Sequence, residues 1–91
     1  MEDILKILRN QIDTIDEEII YLLSRRFEIT KQIWQVKKNS NTSILQVWRW
    51  DELMDNLLSE AKDKWVSDLL VKDIWNLIHK ESIRLQKLKK D

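Results

Sequence analysis

The sequence predicts an all-α chain, and three observations carry that prediction. The 91 residues include no Gly and no Pro, where average usage supplies roughly one residue in eight. Without Gly to adopt positive φ or Pro to punctuate, hairpin meanders, sandwiches and Gly-rich phosphate loops are disfavoured. Apolar residues recur three and four apart, the period of an amphipathic helix rather than a strand. Leu, Ile, Val and Phe make up a third of the chain, enough for a core and too many for disorder. At this length one small domain, residues 1–91, is expected.

The first helix is expected from Glu2 to about Lys38, with Ile4, Leu8, Ile12, Ile15, Ile19, Leu22, Ile29, Ile33 and Val36 along its apolar stripe. Nothing within it breaks a helix. Glu2 and Asp3 at its start and Lys37 and Lys38 at its end suit the macrodipole. Asn39-Ser40-Asn41-Thr42-Ser43 is the one polar, turn-prone cluster and marks the first connection. A second helix follows from about Leu45 to Lys62, with Leu53, Met54, Leu57, Leu58 and Ala61 on its apolar side. Ser67 is the expected N-cap of a third helix, with Asp68 in its favourable first turn. That helix carries Leu70, Ile74, Trp75, Leu77, Ile78, Ile83 and Leu85 and runs into a Lys-rich tail.

Composition narrows the function classes. The absence of Cys removes disulfides and thiolate chemistry, and a single His leaves little basis for a metal site. Lys plus Arg balance Asp plus Glu at 16 each, so net charge offers no drive toward nucleic acid or an acidic membrane. No apolar run approaches the length of a membrane span, and the first residues lack a basic-then-apolar leader pattern. A cytoplasmic protein is expected.

Length also carries a quaternary argument. A first helix of this extent is about 54 Å long, whereas a compact chain of this size is roughly 30 Å across. Two shorter helices cannot cover a stripe that continues end to end, so a second copy with paired long helices is the simplest closed solution. The competing arrangement is a first helix broken near its middle, giving a four-helix monomer.

Several polar residues share helical faces. Arg26, Thr30, Ile33 and Lys37 line one side of the first helix. Arg9 lies 17 positions before Arg26, roughly 26 Å along the axis and about 100° around it. It therefore fits a partner's site in an antiparallel dimer better than its own. Trp75, His79, Ser82 and Gln86 align on the third helix, and Gln46, Arg49, Trp50 and Leu53 on the second. For Trp65 and Trp75 the expected place is the core or a dimer interface, because such rings supply large burial. His79 is expected to be a packed, partly exposed residue rather than an acid–base catalyst.

The order Leu8-Arg9-x-x-Ile12-Asp13-x-Ile15-Asp16, then Ile20-x-Leu22-Leu23-x-Arg25-Arg26, then Lys37, Arg49, Ser82 and Gln86, resembles the all-helical chorismate mutases. The resemblance covers nearly the whole chain. It implies three helices per chain, intertwined into a homodimer with two sites, each borrowing one Arg from the other protomer. It also implies the rearrangement of chorismate to prephenate. That step is unimolecular and pericyclic, and it requires no cofactor, metal or covalent intermediate. The substrate is a dianion, so Arg partners in a dry pocket both bind it and set its conformation. Carried over residue by residue, the partner's Arg9 and Arg26 hold carboxylates, with Ser82 supporting the carboxylate end. Lys37 and Gln86 donate to the ether oxygen, and Arg49 completes the positive wall. Leu5, Thr30, Ile33, His79 and Ile83 shape the pocket.

The sequence departs from the family pattern at four places. Trp50 stands where an acid usually follows the Arg of the second helix and binds the substrate's ring hydroxyl. Gln46 replaces a second acid and keeps an acceptor there. His79 takes an aliphatic wall position, and bulky Trp34 an often small one. Two alternatives stay open on these residues. One is an enzyme that eliminates pyruvate from isochorismate to give salicylate, for which the missing acid matters less. The other is a catalytically silent helical dimer on the same scaffold, natural or designed.

Overall fold

The computed structural model describes residues 2–40 and 46–88, with side chains described for 3–36 and 49–88. Three helices follow in order, α1 (Glu2–Ser40), α2 (Gln46–Lys62) and α3 (Asp68–Leu88). The predicted elements are all present. Helix α1 continues through Asn39 and Ser40, two residues assigned from sequence to the first connection. Asn and Ser cost a helix only a few tenths of a kcal/mol, and no Gly or Pro stands there to stop it. The remainder of that predicted connection, Asn41 to Ser43, and the predicted start of the second helix at Leu45 lie outside the described residues.

The chain divides into two compact units, Met1–Ile33 and Trp34–Asp91. The first is the body of α1, whose helix is unbroken from Glu2 to Ser40, which removes the four-helix alternative. Its apolar stripe is open in the single chain: Ile4, Leu8, Ile12, Ile15, Ile19 and Leu22 are 48–61% exposed. Thr14 and Thr30 turn their hydroxyls back to the carbonyls of Asn10 and Arg26, at 3.1 and 2.8 Å.

In the second unit α2 and α3 pack as a helical hairpin. Ala61, Val71, Ile78 and Ser82 are buried at its centre, and Leu53, Met54, Leu57, Leu58, Trp75 and Leu85 are half-buried. On α3 the buried residues follow a three-and-four seam, Val71–Trp75–Ile78–Ser82–Leu85. The turn between the helices is fixed by local chemistry at both ends. Ser67 Oγ accepts the Leu70 N–H at 3.1 Å and its carbonyl accepts the Val71 N–H at 3.1 Å, so it N-caps α3 as expected. Asp68 follows in the first turn and Lys87 occupies the last.

The exit from α2 is less ordinary. The Val66 N–H reaches back to the Ala61 carbonyl at 3.4 Å, closing a helix C-terminus of the Schellman type. The residue this geometry puts in the left-handed region is Trp65, at φ 63°. Gly normally fills that place. Trp65 is also fully exposed. Of the two places expected for Trp65, the core or a dimer interface, the core is therefore excluded: a side chain on a left-handed C-terminal residue projects from the turn instead of returning to the helix seam.

Candidate active site

The α2–α3 hairpin places the start of α2 and the later turns of α3 at the same level, because both lie far from the connecting turn. There the indole of Trp50 meets the imidazole of His79, ring centroids 5.1 Å apart and planes tilted by 50°. Trp50 is half-buried, and His79 keeps an exposed surface. Both residues were singled out in the sequence, and the fold brings them into contact. Sequence spacing named each on its own helix face. Only the antiparallel hairpin joins them.

Ser82 lies three residues beyond His79 on the same side of α3. It is 7% exposed, and its Oγ has no hydrogen-bond partner among the described residues. A buried hydroxyl without a partner costs about 1–3 kcal/mol. Gln86, one turn further, is exposed, as is Arg49 beside Trp50 on α2. Ile83 is 39% exposed. The neighbouring Glu81 is engaged elsewhere: both its oxygens accept from Arg84, Nε to Oε1 and Nη2 to Oε2, each at 2.7 Å. The hydrogen bond from Arg84 holds the Glu81 carboxyl below the ordinary carboxylate range and raises the Arg84 guanidinium. Glu81 thus stays an ionised partner of Arg84.

On α1, Arg9 is exposed and Arg26 half-buried, with Thr30 on the next turn bonded to the Arg26 carbonyl. Leu5 and Ile33 remain exposed, and Trp34 is half-buried. Lys37 and Gln46 occupy helical positions near the end of α1 and at the start of α2, and their side chains lie outside the described residues. The described side chains therefore bring together Trp50 and His79, with Ser82 and Gln86 following on the same helix.

Among the described residues no helix is long and apolar enough to cross a membrane. No cluster of three or more His, Cys, Asp or Glu there could hold a metal ion. An indole–imidazole pair across the hairpin and a buried hydroxyl one turn along α3 mark the polar end of a helical domain. The sequence of that domain is specific: residues 8–87 match chorismate mutase type II, and the chain belongs to that family. It is 39% identical over 59 residues to a bifunctional chorismate mutase/prephenate dehydratase of Aquifex aeolicus, covering 65% of this chain and 16% of that one. It is 31% identical over 78 residues to the T-protein of Haemophilus influenzae, covering 86% and 21%. A bifunctional chorismate mutase/prephenate dehydratase of Buchnera aphidicola is 31% identical over 83 residues, covering 91% and 22%. The chain thus spans about a fifth of the length of these relatives or less. No solved structure matches it.

Proposed function

We propose that this chain is a chorismate mutase that rearranges chorismate to prephenate. The observation that carries the proposal is the extent of the family match. It runs over residues 8–87 and so contains Arg9, Arg26, Lys37, Gln46, Arg49, Trp50, Ser82 and Gln86. In this reading the partner's Arg9 and Arg26 bind the two carboxylates, and Ser82 donates its free hydroxyl to the carboxylate end. Lys37 and Gln86 donate to the ether oxygen, where negative charge grows as the C–O bond breaks. Arg49 adds positive potential, while Gln46 and Trp50 line the side facing the ring. No proton transfer or covalent intermediate is involved. The chain supplies conformer selection and electrostatic stabilisation, and both require donors held in place before the substrate arrives.

The active form proposed is an intertwined homodimer of single helical domains, residues 1–91, in the cytoplasm. The open apolar stripe of α1 supports the dimer, and the absence of a membrane-spanning helix among the described residues is compatible with the location. The test is incubation with chorismate and with isochorismate, products separated by chromatography, and Arg26→Ala as control. Prephenate that vanishes in Arg26→Ala supports the mutase. Salicylate from isochorismate replaces it with the lyase alternative, and no turnover of either substrate leaves a silent scaffold. Sizing chromatography at a monomer's volume removes Arg9 from the site.

A further inference from the structure

The Trp50–His79 contact lies about one turn of α3 from Ser82, a buried side chain whose hydroxyl has no partner among the described residues. We infer that His79 is a specificity-determining residue that accepts the substrate's ring hydroxyl at an imidazole nitrogen, and that Trp50 is the positioning residue that fixes the imidazole for this role. The inference rests on the mutase reading above and deepens it.

Three observations lead there. The imidazole is exposed, so its nitrogens are open to a ligand, yet one side of the ring is held against the indole at 5.1 Å. An exposed His normally samples several rotamers, and contact with a large, half-buried ring restricts that freedom. Ser82, three residues on at the same end of the hairpin, carries a buried hydroxyl that has no partner among the described residues. Finally, Glu81 is the nearest acid in sequence on α3, and its two oxygens are both taken by Arg84. It offers no ready acceptor for a hydroxyl. Among the described side chains, His79 is the acceptor in ring contact with Trp50.

The experiment measures kcat and KM with chorismate and with its analogue lacking the ring hydroxyl, for the unsubstituted chain and for His79→Leu, His79→Gln, Trp50→Leu and the Leu/Leu double variant. Thermal melts of each variant check folding. Loss of one hydrogen bond predicts that His79→Leu lowers kcat/KM for chorismate about tenfold, mostly through KM, with the deoxy analogue moving by no more than about twofold. His79→Gln, which retains an acceptor, recovers part of the loss. Trp50→Leu costs about as much as His79→Leu, and the double variant loses no more than either single one, because both remove the same interaction. Equal losses on the two substrates, additive losses in the double variant, or no loss at all overturn the assignment while leaving the mutase reading in place. An unsubstituted chain that turns over neither substrate refutes the mutase reading, and this assignment falls with it.

Discussion

Trp65 offers the sharpest test of the local structure. It holds a left-handed conformation at φ 63° with its side chain fully exposed. A non-Gly residue in that region costs about 1–2 kcal/mol through the approach of Cβ to the following carbonyl. Replacing Trp65 with Gly removes that cost, and no burial is lost because none exists in the chain. Against this, Gly makes the unfolded chain more flexible by about 0.5–1 kcal/mol. The net expectation for Trp65→Gly is a gain of about 0.5–1 kcal/mol, or a rise of roughly 2–8 °C in Tm for a domain of this size. Trp65→Ala is the control: it keeps Cβ and the strain, so its stability should stay within about 0.5 kcal/mol of the parent. Both are read by circular dichroism during thermal and urea unfolding at matched concentration. A Trp65→Ala variant destabilised by several kcal/mol refutes the reasoning, because it means the ring is buried in the assembled protein.

Further outcomes follow from contacts already described. Ser67→Ala removes the oxygen that accepts the Leu70 N–H and should cost about 1 kcal/mol in urea unfolding with an unchanged m-value; no loss would show that the cap is not holding α3. Ser82→Ala deletes a buried hydroxyl that has no partner, so stability should be unchanged or higher by about 1 kcal/mol while KM for chorismate rises. Destabilisation there would mean that the hydroxyl is satisfied within the protein. Hydrogen bonds from Lys64 and Arg84 hold the Glu60 and Glu81 carboxyls below their ordinary range. Their contribution is therefore present above the usual Glu value of ~4.3 and lost as pH falls through the lowered values. Tm should decline on that acid side, less steeply in Glu60→Gln/Glu81→Gln, and 1 M salt should shrink the difference because both pairs are exposed. Identical acid limbs would remove these pairs from the account.

What was legible in the sequence was what periodicity and local chemistry determine. The three-and-four spacing of Ile and Leu marked all three helices, and Ser67 followed by Asp68 marked the start of α3. The end of α2 at Lys62 was legible, but the left-handed turn just beyond it was not. Its usual signal is a Gly, and a chain without Gly places Trp65 in that conformation instead. Asn39 and Ser40 read as a turn because their side chains compete for the backbone, yet the competition is too weak to end a helix with no breaker. At the site, the faces of Trp50 and His79 were readable, but their meeting depends on hairpin register, a long-range property that spacing within one helix does not contain. The burial of Ser82 has the same origin, since the seam of α3 is defined by what α2 lays against it.

The open stripe of α1 determines how folding and activity are linked in the dimer proposed above. The hairpin buries Ala61, Val71 and Ile78 among its apolar side chains, a small core. Six Leu and Ile of α1, from Ile4 to Leu22, keep about half of their surface exposed. Covering a fully exposed Leu or Ile contributes roughly 1.5–3 kcal/mol, so closing the remaining half of six adds on the order of 5–9 kcal/mol per chain. That is comparable with the whole stability of an ordinary domain, about 5–15 kcal/mol. Association is then inseparable from folding, and Tm should rise with protein concentration. Arg9 lies within the same stretch, between Leu8 and Ile12. In the proposed dimer, the contacts that stabilise association would also deliver the partner's Arg9, so a variant that weakens the stripe should lose turnover and concentration-dependent stability together.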